Sequence, residues 1–379
     1  MRAGISISQA KEAAEAGKEA AARAAADSGR PALTVLFTTD AYDPEAVLGA
    51  VKEEIGDSRL VGFCCGGLIS ADGVCPQGVG VCTLGGEEVR AATTLQPGLD
   101  RNPEEAGRRT GEALLASGMR GGTVIALPDG FQTNLTEMLR GLYGSMGPEY
   151  RYVGGGAGDN LKFFRTFQFT ESGLSSGSIA AALLDGVEIS TGVGHGWVPM
   201  GDPLVVTKVQ GKTLREIDGI PAFQAYQNRL GRMTKEEFRR KGMLHPLGFP
   251  DVFAQYIIRD PLTVNDDDSI QFVTEVPTQA VGNVMDGEEA ALVETAERVA
   301  REAAGRIEAP AFMLLFDCIS RVLLMGEGFR EEIRAIRKAV GMDVPLLGAL
   351  SFGEIGSYED VPLFHNKTTV VAVGGARRP

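Results

Sequence analysis

The sequence predicts an α/β protein with mixed sheets, built from three β-α-β-α-β-β pseudo-repeats with an insertion before the third. Three observations carry this. Apolar runs of strand length alternate with amphipathic stretches of helical period along most of the chain. Three of those runs end in glycine-rich loops: LVGFCCGGL (Leu60–Leu68), YVGGGAGDN (Tyr152–Asn160) and PLLGALSFGEIGSY (Pro345–Tyr358). The loops begin at Gly62, Gly154 and Gly348, spaced by 92 and then 194 residues, so the second interval holds one unit plus an insertion between about His195 and Asp268.

Each element has a local reason. Ala3–Ser8 reads as a strand, and Ser8 is placed to cap the helix Lys11–Ala26, which is rich in Ala, Glu, Lys and Arg. Leu33–Thr38 is an apolar strand. Asp43 caps the next helix, Asp43–Ile55, with Pro44 at its first position. Leu60–Cys64 and Gly78–Leu84 complete the first unit. The second unit repeats the order: strand Val89–Leu95, helix Asn102–Ser117, strand Thr123–Leu127, helix Asn134–Met146 capped by Asn134, then strands Tyr150–Val153 and Ser178–Leu184. The third runs from strand Ile270–Val276 through helix Gly287–Gly305, strand Phe312–Phe316 and helix Gly328–Val340 to strands Val344–Leu350 and Thr368–Val373. The insertion holds a strand, Leu204–Val209, two short helices, Phe223–Arg232 and Thr234–Gly242, and an acidic turn, Asn265–Ser269, read as solvated rather than metal-binding.

A chain of 379 residues exceeds one ordinary domain. Its net charge of −13, with no basic stripe beyond the terminal pair Arg377–Arg378, argues against nucleic acid as a partner. No apolar run approaches the roughly 18 residues of a membrane span. The N-terminus lacks the apolar stretch of a secretory signal, so the cytoplasm is the expected compartment. The cysteines, Cys64, Cys65, Cys75, Cys82 and Cys318, are odd in number and form no C-x-x-C pair, which indicates neither a disulfide framework nor a zinc knuckle.

Several motifs, in order, resemble the FIST sensory domain family across nearly the whole chain. They are VGGGAGDN (Val153–Asn160), GHGWVPMG (Gly194–Gly201), VTKVQGKTLREIDGIPA (Val206–Ala222), HPLG (His245–Gly248), Ile258–Pro261, DCISR (Asp317–Arg321), GALSFGEIG (Gly348–Gly356) and LFHNKT (Leu363–Thr368). The resemblance implies a small-molecule sensory module of signal transduction, usually prokaryotic, with amino acids as proposed ligands. It implies an N-terminal half over residues 1–219 and a C-terminal half over 220–379. Some stand-alone proteins that look like this one are thought to bind haem and regulate a separate histidine kinase. With no output domain recognised, the expected mode is action on a partner chain. One departure stands out: the first loop has Leu68 where the family commonly has a glutamate.

The candidate site follows. The second loop superficially resembles a dinucleotide fingerprint but has no helix directly after it, so Gly155 and Gly156 are read either as tight-turn residues or as ligand contacts. For an amino-acid ligand, loop N–H groups suit the carboxylate, and Asp159 or Glu354 the ammonium, with Asn160, Ser351 and Asn366 beside them. Arg321 is either a bidentate carboxylate clamp or a member of an ion pair. His195, beside Trp197, and His365 are the candidate axial ligands if haem binds; His245 precedes Pro246 in a turn. The absence of C-x-x-C-H excludes covalent haem attachment. Cys318 follows a buried strand as a nucleophile would, or is an inert buried thiol. The expected function is therefore a cytoplasmic small-molecule sensor that is not an enzyme. The alternatives are a haem-binding redox or nitric oxide sensor and a cysteine-dependent hydrolase or transferase.

Overall fold

Each of the three glycine-loop strands lies in a six-stranded sheet of its own, and the three sheets share one plan. The computed structural model describes residues 1–251, 254–358 and 361–376, which leaves the Arg377–Arg378 pair outside. The first sheet has the order Arg2–Ser8, Val79–Gly85, Pro31–Thr39, Arg59–Cys65. The second has Arg90–Pro97, Ser178–Asp185, Gly122–Pro128, Tyr150–Gly155, and the third Glu188–Gly194, Thr369–Gly375, Pro310–Cys318, Leu346–Ser351. In each, the glycine-loop strand runs parallel to its inner neighbour, and the flanking pairings are antiparallel.

The last two strands of each sheet come from another unit. The hairpin after the first loop (Leu68–Ser70, Gly73–Cys75) completes the third sheet. The hairpin after the second (Gln168–Thr170, Gly173–Ser175) completes the first sheet, and the hairpin after the third (Glu354–Gly356, Leu363–His365) completes the second. This cyclic exchange covers part of an edge on every loop strand, which would otherwise expose unpaired N–H and C=O groups.

The inner faces of all three sheets meet in one core. Phe37, Phe63 and Phe316 come together there, with ring centroids 5.0, 5.7 and 6.3 Å apart, beside Val153, Ile125 and Ala180. Paired helices cover the outer faces: Ala13–Ser28 with Pro44–Ile55, Pro103–Leu115 with Leu135–Met146, and Glu289–Gly305 with Phe329–Val340. Pro44–Ile55 shows why such segments are helical: Asp43 accepts the Ala46 N–H at 2.8 Å, and Val47, Leu48, Val51 and Ile55 form one buried stripe.

The insertion is a subdomain with its own sheet, ordered Tyr256–Arg259, Leu247–Pro250, Val281–Asp286, Val198–Gln210, Thr213–Ile217, Ile270–Phe272, Pro261–Val264. Two helices, Ala222–Leu230 and Lys235–Leu244, bury Phe223, Tyr226 and Phe238 against it. Its position corrects the expectation. It lies inside the third unit, after that unit's opening strand Glu188–Gly194, and Ile270–Phe272 belongs to the insertion's sheet. EISTGVG carries two glycines and two small hydroxyl residues, so its strand signal is weak. Two caps also differ. Ser8 donates to Glu19 while its helix starts at Ala13, and Asn134 is left-handed (φ 58°) with no side-chain cap.

The loop glycines are dictated by backbone approach. A Cβ at Gly154 would sit 1.9 Å from the Ala126 carbonyl oxygen of the neighbouring strand. Gly154→Ala is expected to destabilise the protein by about 3 kcal/mol or more, read from urea unfolding; a loss near zero would show that the sheet spacing can relax.

Candidate functional site

The strand Pro310–Cys318 delivers Asp317 and Cys318 to its end, and the short helix Ile319–Met325 then places Arg321 one turn on. Beside them stand Ser351 and Glu354 of the third loop, and His365 to Thr368, which lead into the closing strand. Arg321 is fully buried. Its guanidinium forks onto Glu332 (Nη2 to Oε2 2.6 Å, Nε to Oε1 3.2 Å) and donates to the His195 carbonyl at 2.7 Å and the Lys367 carbonyl at 3.3 Å. Its donors are thus committed within the protein, in the ion pair that was one of the two readings of this residue. Glu354 accepts from the Ser351 hydroxyl at 2.8 Å and the Thr368 N–H at 3.2 Å. Asn366 accepts from Thr274 at 2.5 Å and donates to the His365 carbonyl.

Residues without an assigned role complete the cluster. Lys367 is fully buried with a left-handed backbone (φ 55°); its Nζ lies 3.1 Å from Asp260 Oδ1 and 5.4 Å from the Trp197 ring centre. Asp260 and Lys367 both stand in motifs quoted for the family resemblance, so the signal was present without a role attached. The buried charges do not balance: among the described residues, Asp260, Asp317, Glu332 and Glu354 share two buried cations, Arg321 and Lys367, and none of the four is more than 5% exposed. Asp260 pairs with Lys367, and Arg321 is shared by Glu332 and by Asp317, whose Oδ1 lies 3.3 Å from its Nε, so the carboxyls outnumber the cations. Burial pushes the Glu354 carboxyl up to about 8 against the pull of its hydrogen bonds. Burial, with the neighbouring Glu332, holds Asp317 well above the usual carboxylate range.

Of the predicted site residues, the structure brings together Arg321, Ser351, Glu354, Asn366, His195 and His365, with Gly155 paired to Glu354. Gly156 exchanges backbone hydrogen bonds with Gly353 and Phe352 at 2.7 and 2.9 Å. Asp159 is elsewhere: its carboxylate accepts the N–H groups of Lys162, Phe163 and Phe164 at 2.9–3.0 Å, and Asn160 is exposed.

The histidines do not fit a haem in this conformation. His195 Nδ1 accepts the Trp197 N–H at 2.9 Å, and His365 Nε2 lies 3.2 Å from the Gly356 carbonyl. Burial lowers their pKa values to about 3 and about 4, so both are neutral, but an iron would have to break this packing to reach them. The Cys318 thiol, 3.1 Å from the Ser320 hydroxyl, is pushed well up by burial and by the nearby Glu354 and Asp260 carboxyls. That is the reverse of an activated nucleophile.

Two openings flank the cluster. A cavity of about 690 Å³ lies in the seam between core and insertion, where Asn134 and Glu137 face Phe249, Ile257, Arg259 and Glu275. Across this seam Glu275 Oε1 accepts the Asn134 N–H at 2.5 Å. A wider groove, of about 1390 Å³, lies between the loop strand of the second sheet and the opening strand of the third, and reaches Tyr358, whose ring stands edge-on to His365 at 5.1 Å.

Glu354 stays protonated up to about pH 8 when folded but ionises near 4.5 when unfolded, so the folded state binds more protons in that window and stability falls as pH rises through it. The two histidines, neutral in the fold and protonated around pH 6.5 only when unfolded, oppose this at the lower end of the window and cease to do so as pH nears 8. The melting temperature is expected to fall between pH 6.5 and 8, and Glu354→Gln to reduce that fall; an unchanged slope in the variant would assign the proton elsewhere. Alkylation of the native protein near neutral pH is expected to reach the half-buried Cys75 first, with Cys318 protected; selective labelling of Cys318 would revive the nucleophile reading.

Comparison with known proteins agrees with the motif resemblance. Two uncharacterized proteins of Mycobacterium tuberculosis, from two strains, are each 24% identical over 396 residues, covering 98% of this chain and 99% of theirs. An uncharacterized protein of Methanocaldococcus jannaschii is 24% identical over 252 residues, 60% of this chain, and that match spans about half (49%) of its own length. Among solved structures, phosphoribosylformylglycinamidine synthase II of Thermotoga maritima covers 77% of this chain and 74% of its own at 11% identity, with a TM-score of 0.23, too low to carry an argument. The FIST N domain matches residues 32–220 and the FIST C domain residues 222–357. Domains of this kind are associated with sensory signal transduction and small-ligand binding. The chain belongs to the FIST family.

Proposed function

We propose that the protein is a cytoplasmic small-molecule sensor that takes an amino acid in the seam between core and insertion and acts on a separate partner, such as a histidine kinase. The observation that carries this is the position of the seam cavity against the buried cluster. Arg259 and Glu275 line the cavity. Their chain neighbours Asp260 and Thr274 hold Lys367 and Asn366 inside the cluster. A ligand that moves Arg259 or Glu275 therefore pulls on the contacts that dock the insertion. In this reading residues 1–219 and 220–379 act as the two sensory halves, and Gly155, Gly156, Ser351, Glu354, Asn366 and Arg321 form the buried relay behind the cavity.

The cavity chemistry suits a zwitterion with an apolar side chain. Phe249, Pro250, Ile257 and Val276 supply the apolar wall. Arg259 anchors its own side chain on the Glu275 carbonyl at 2.8 Å and the Ile258 carbonyl at 3.0 Å; burial lowers its pKa to about 10, so it remains a cation at neutral pH. It suits the ligand carboxylate, and Glu275 or Glu137 the ammonium. The surplus of buried carboxyls supports a switch, because such a cluster is a poor device for stability alone.

Calorimetric titration with the twenty amino acids is expected to give saturable binding of at least one apolar member. Arg259→Met and Glu275→Ala should each weaken it at least tenfold. Absence of binding across the panel, or affinity untouched by both substitutions, would overturn the proposal.

A further inference from the structure

The shared plan of the three sheets makes their seams comparable position by position. In the first sheet Leu36 pairs with Gly62, and in the second Ala126 pairs with Gly154. Gly62 thus corresponds to Gly154, so Arg59–Leu60 corresponds to Arg151–Tyr152. The hairpins align the same way: Phe169 lies opposite Gly62 and Ile355 opposite Gly154, which sets Glu171 against Ser357. The strands across the seam align through their own partners, Ala181 with Thr94 and Val371 with Gly192, which sets Thr93 against Thr191.

In the seam between the first and second sheets, Glu171 is a built-in carboxylate. It takes the Arg59 guanidinium at 2.8 Å, the Leu60 N–H at 2.9 Å and the Thr93 hydroxyl at 2.7 and 2.8 Å. Burial opposes its charge, but these donors together keep its carboxyl below the usual range. The corresponding place between the second and third sheets keeps every donor: the Arg151 guanidinium, the Tyr152 N–H and the Thr191 hydroxyl. It replaces the carboxylate by the short hydroxyl of Ser357. All four residues line the 1390 Å³ groove. The Tyr152 N–H lies beyond the hairpin ladder, which ends at Gly154 on this strand. Among the described residues, Arg151 pairs loosely, 3.7 Å from Glu188. Next to Thr191, the Ser190 hydroxyl is buried and, among the described residues, has no hydrogen-bond partner. In the remaining seam the same positions hold Pro345 and Ala71, so neither the cation nor the carboxylate is there.

We propose that this groove binds a small-molecule carboxylate on Arg151, the Tyr152 N–H and Thr191, at the place that Glu171 fills in the sister seam. The recognition is local. The groove also carries acidic side chains, with Asp185 held by Arg90 and Glu302 by Arg298, so it is no general anion trap. Its ligand is defined by a planar two-oxygen acceptor that meets an arginine, a backbone N–H and a hydroxyl together. The site is separate from the seam cavity, and neither needs the other.

The test uses the full chain, with acetate, pyruvate and succinate as probes and acetamide and succinamide as uncharged controls, followed by calorimetry and thermal melting. At least one carboxylate is expected to bind saturably and raise Tm, and the amides to do neither. Arg151→Met should weaken that binding at least tenfold. Ser357→Glu should supply the carboxylate internally, abolishing the response and raising Tm in buffer alone. Lack of carboxylate binding by the wild type, equal binding of the amides, or binding that survives both substitutions overturns the proposal.

Discussion

Backbone hydrogen bonds between the three glycine loops are the constraint on which the rest depends. The Gly66 N–H donates to Leu350 and the Leu350 N–H to Gly67, at 2.9 and 2.8 Å; Gly156 donates to Gly353 at 2.7 Å and Phe352 to Gly156 at 2.9 Å; Gly158 donates to Cys64 at 2.9 Å. The first loop is thus tied to the third, the third to the second and the second to the first. Side chains would hold these backbones apart: a Cβ at Gly156 would lie 2.5 Å from the Phe352 carbonyl oxygen, and one at Gly66 2.5 Å from Ile319. The knot also fixes where each hairpin leaves its own unit for the next. Fold and loop chemistry are therefore one problem, and the loops solve it with glycine.

That constraint moves recognition outward. Loops that spend their N–H groups on one another have few left for a ligand, so the place where the three loops meet is filled by protein. Space remains at the seams: where the insertion meets the core, and where the second sheet meets the third. The buried cluster lies between those openings. Its four carboxyls share two cations out of reach of solvent, an arrangement that apolar side chains of similar size would match or exceed in stability. A residue set that gains little stability yet links the core to the insertion is placed to report a displacement between them.

Much of the architecture was legible in the chain. The repeated order of elements and the spacing of Gly62, Gly154 and Gly348 located the loop strands, and Asp43 and Asn102 marked their helix starts correctly. The hairpins were not legible, because three-residue strands such as Leu68–Ser70 show no periodicity to read. Nor was the opening strand of the third unit, where a long insertion separates Glu188–Gly194 from the helix it precedes. At the site, the sequence grouped Arg321, Ser351, Glu354 and Asn366 as candidates, and they lie together in the fold. It could not show that Arg321 is spoken for by Glu332, eleven residues on, or that Lys367 reaches Asp260 across more than a hundred residues. Long-range ion pairs leave no local pattern.

Leu68 of the first loop has counterparts in the other two loops that differ from it in kind. Glu354 lies opposite Gly155 in its sheet, Gln168 opposite Phe63 and Leu68 opposite Ala349, and these three positions correspond under the shared plan. All three side chains are fully buried, but they differ in kind. Leu68 joins the central apolar core, and Gln168 binds the Ser178 hydroxyl as a neutral partner; only Glu354 is ionisable. The same gradient runs along the inner strands, where Asp317 and Cys318 of the third unit correspond to Thr38 and Thr39 of the first. Three units share one backbone solution; the buried carboxylates of the second, Asp129 and Asp159, rest on backbone N–H groups, and the third carries the buried cluster of ion pairs. It is also the unit that accepts the insertion, so the insertion and the buried ionisable groups that contact it lie in the same third of the chain.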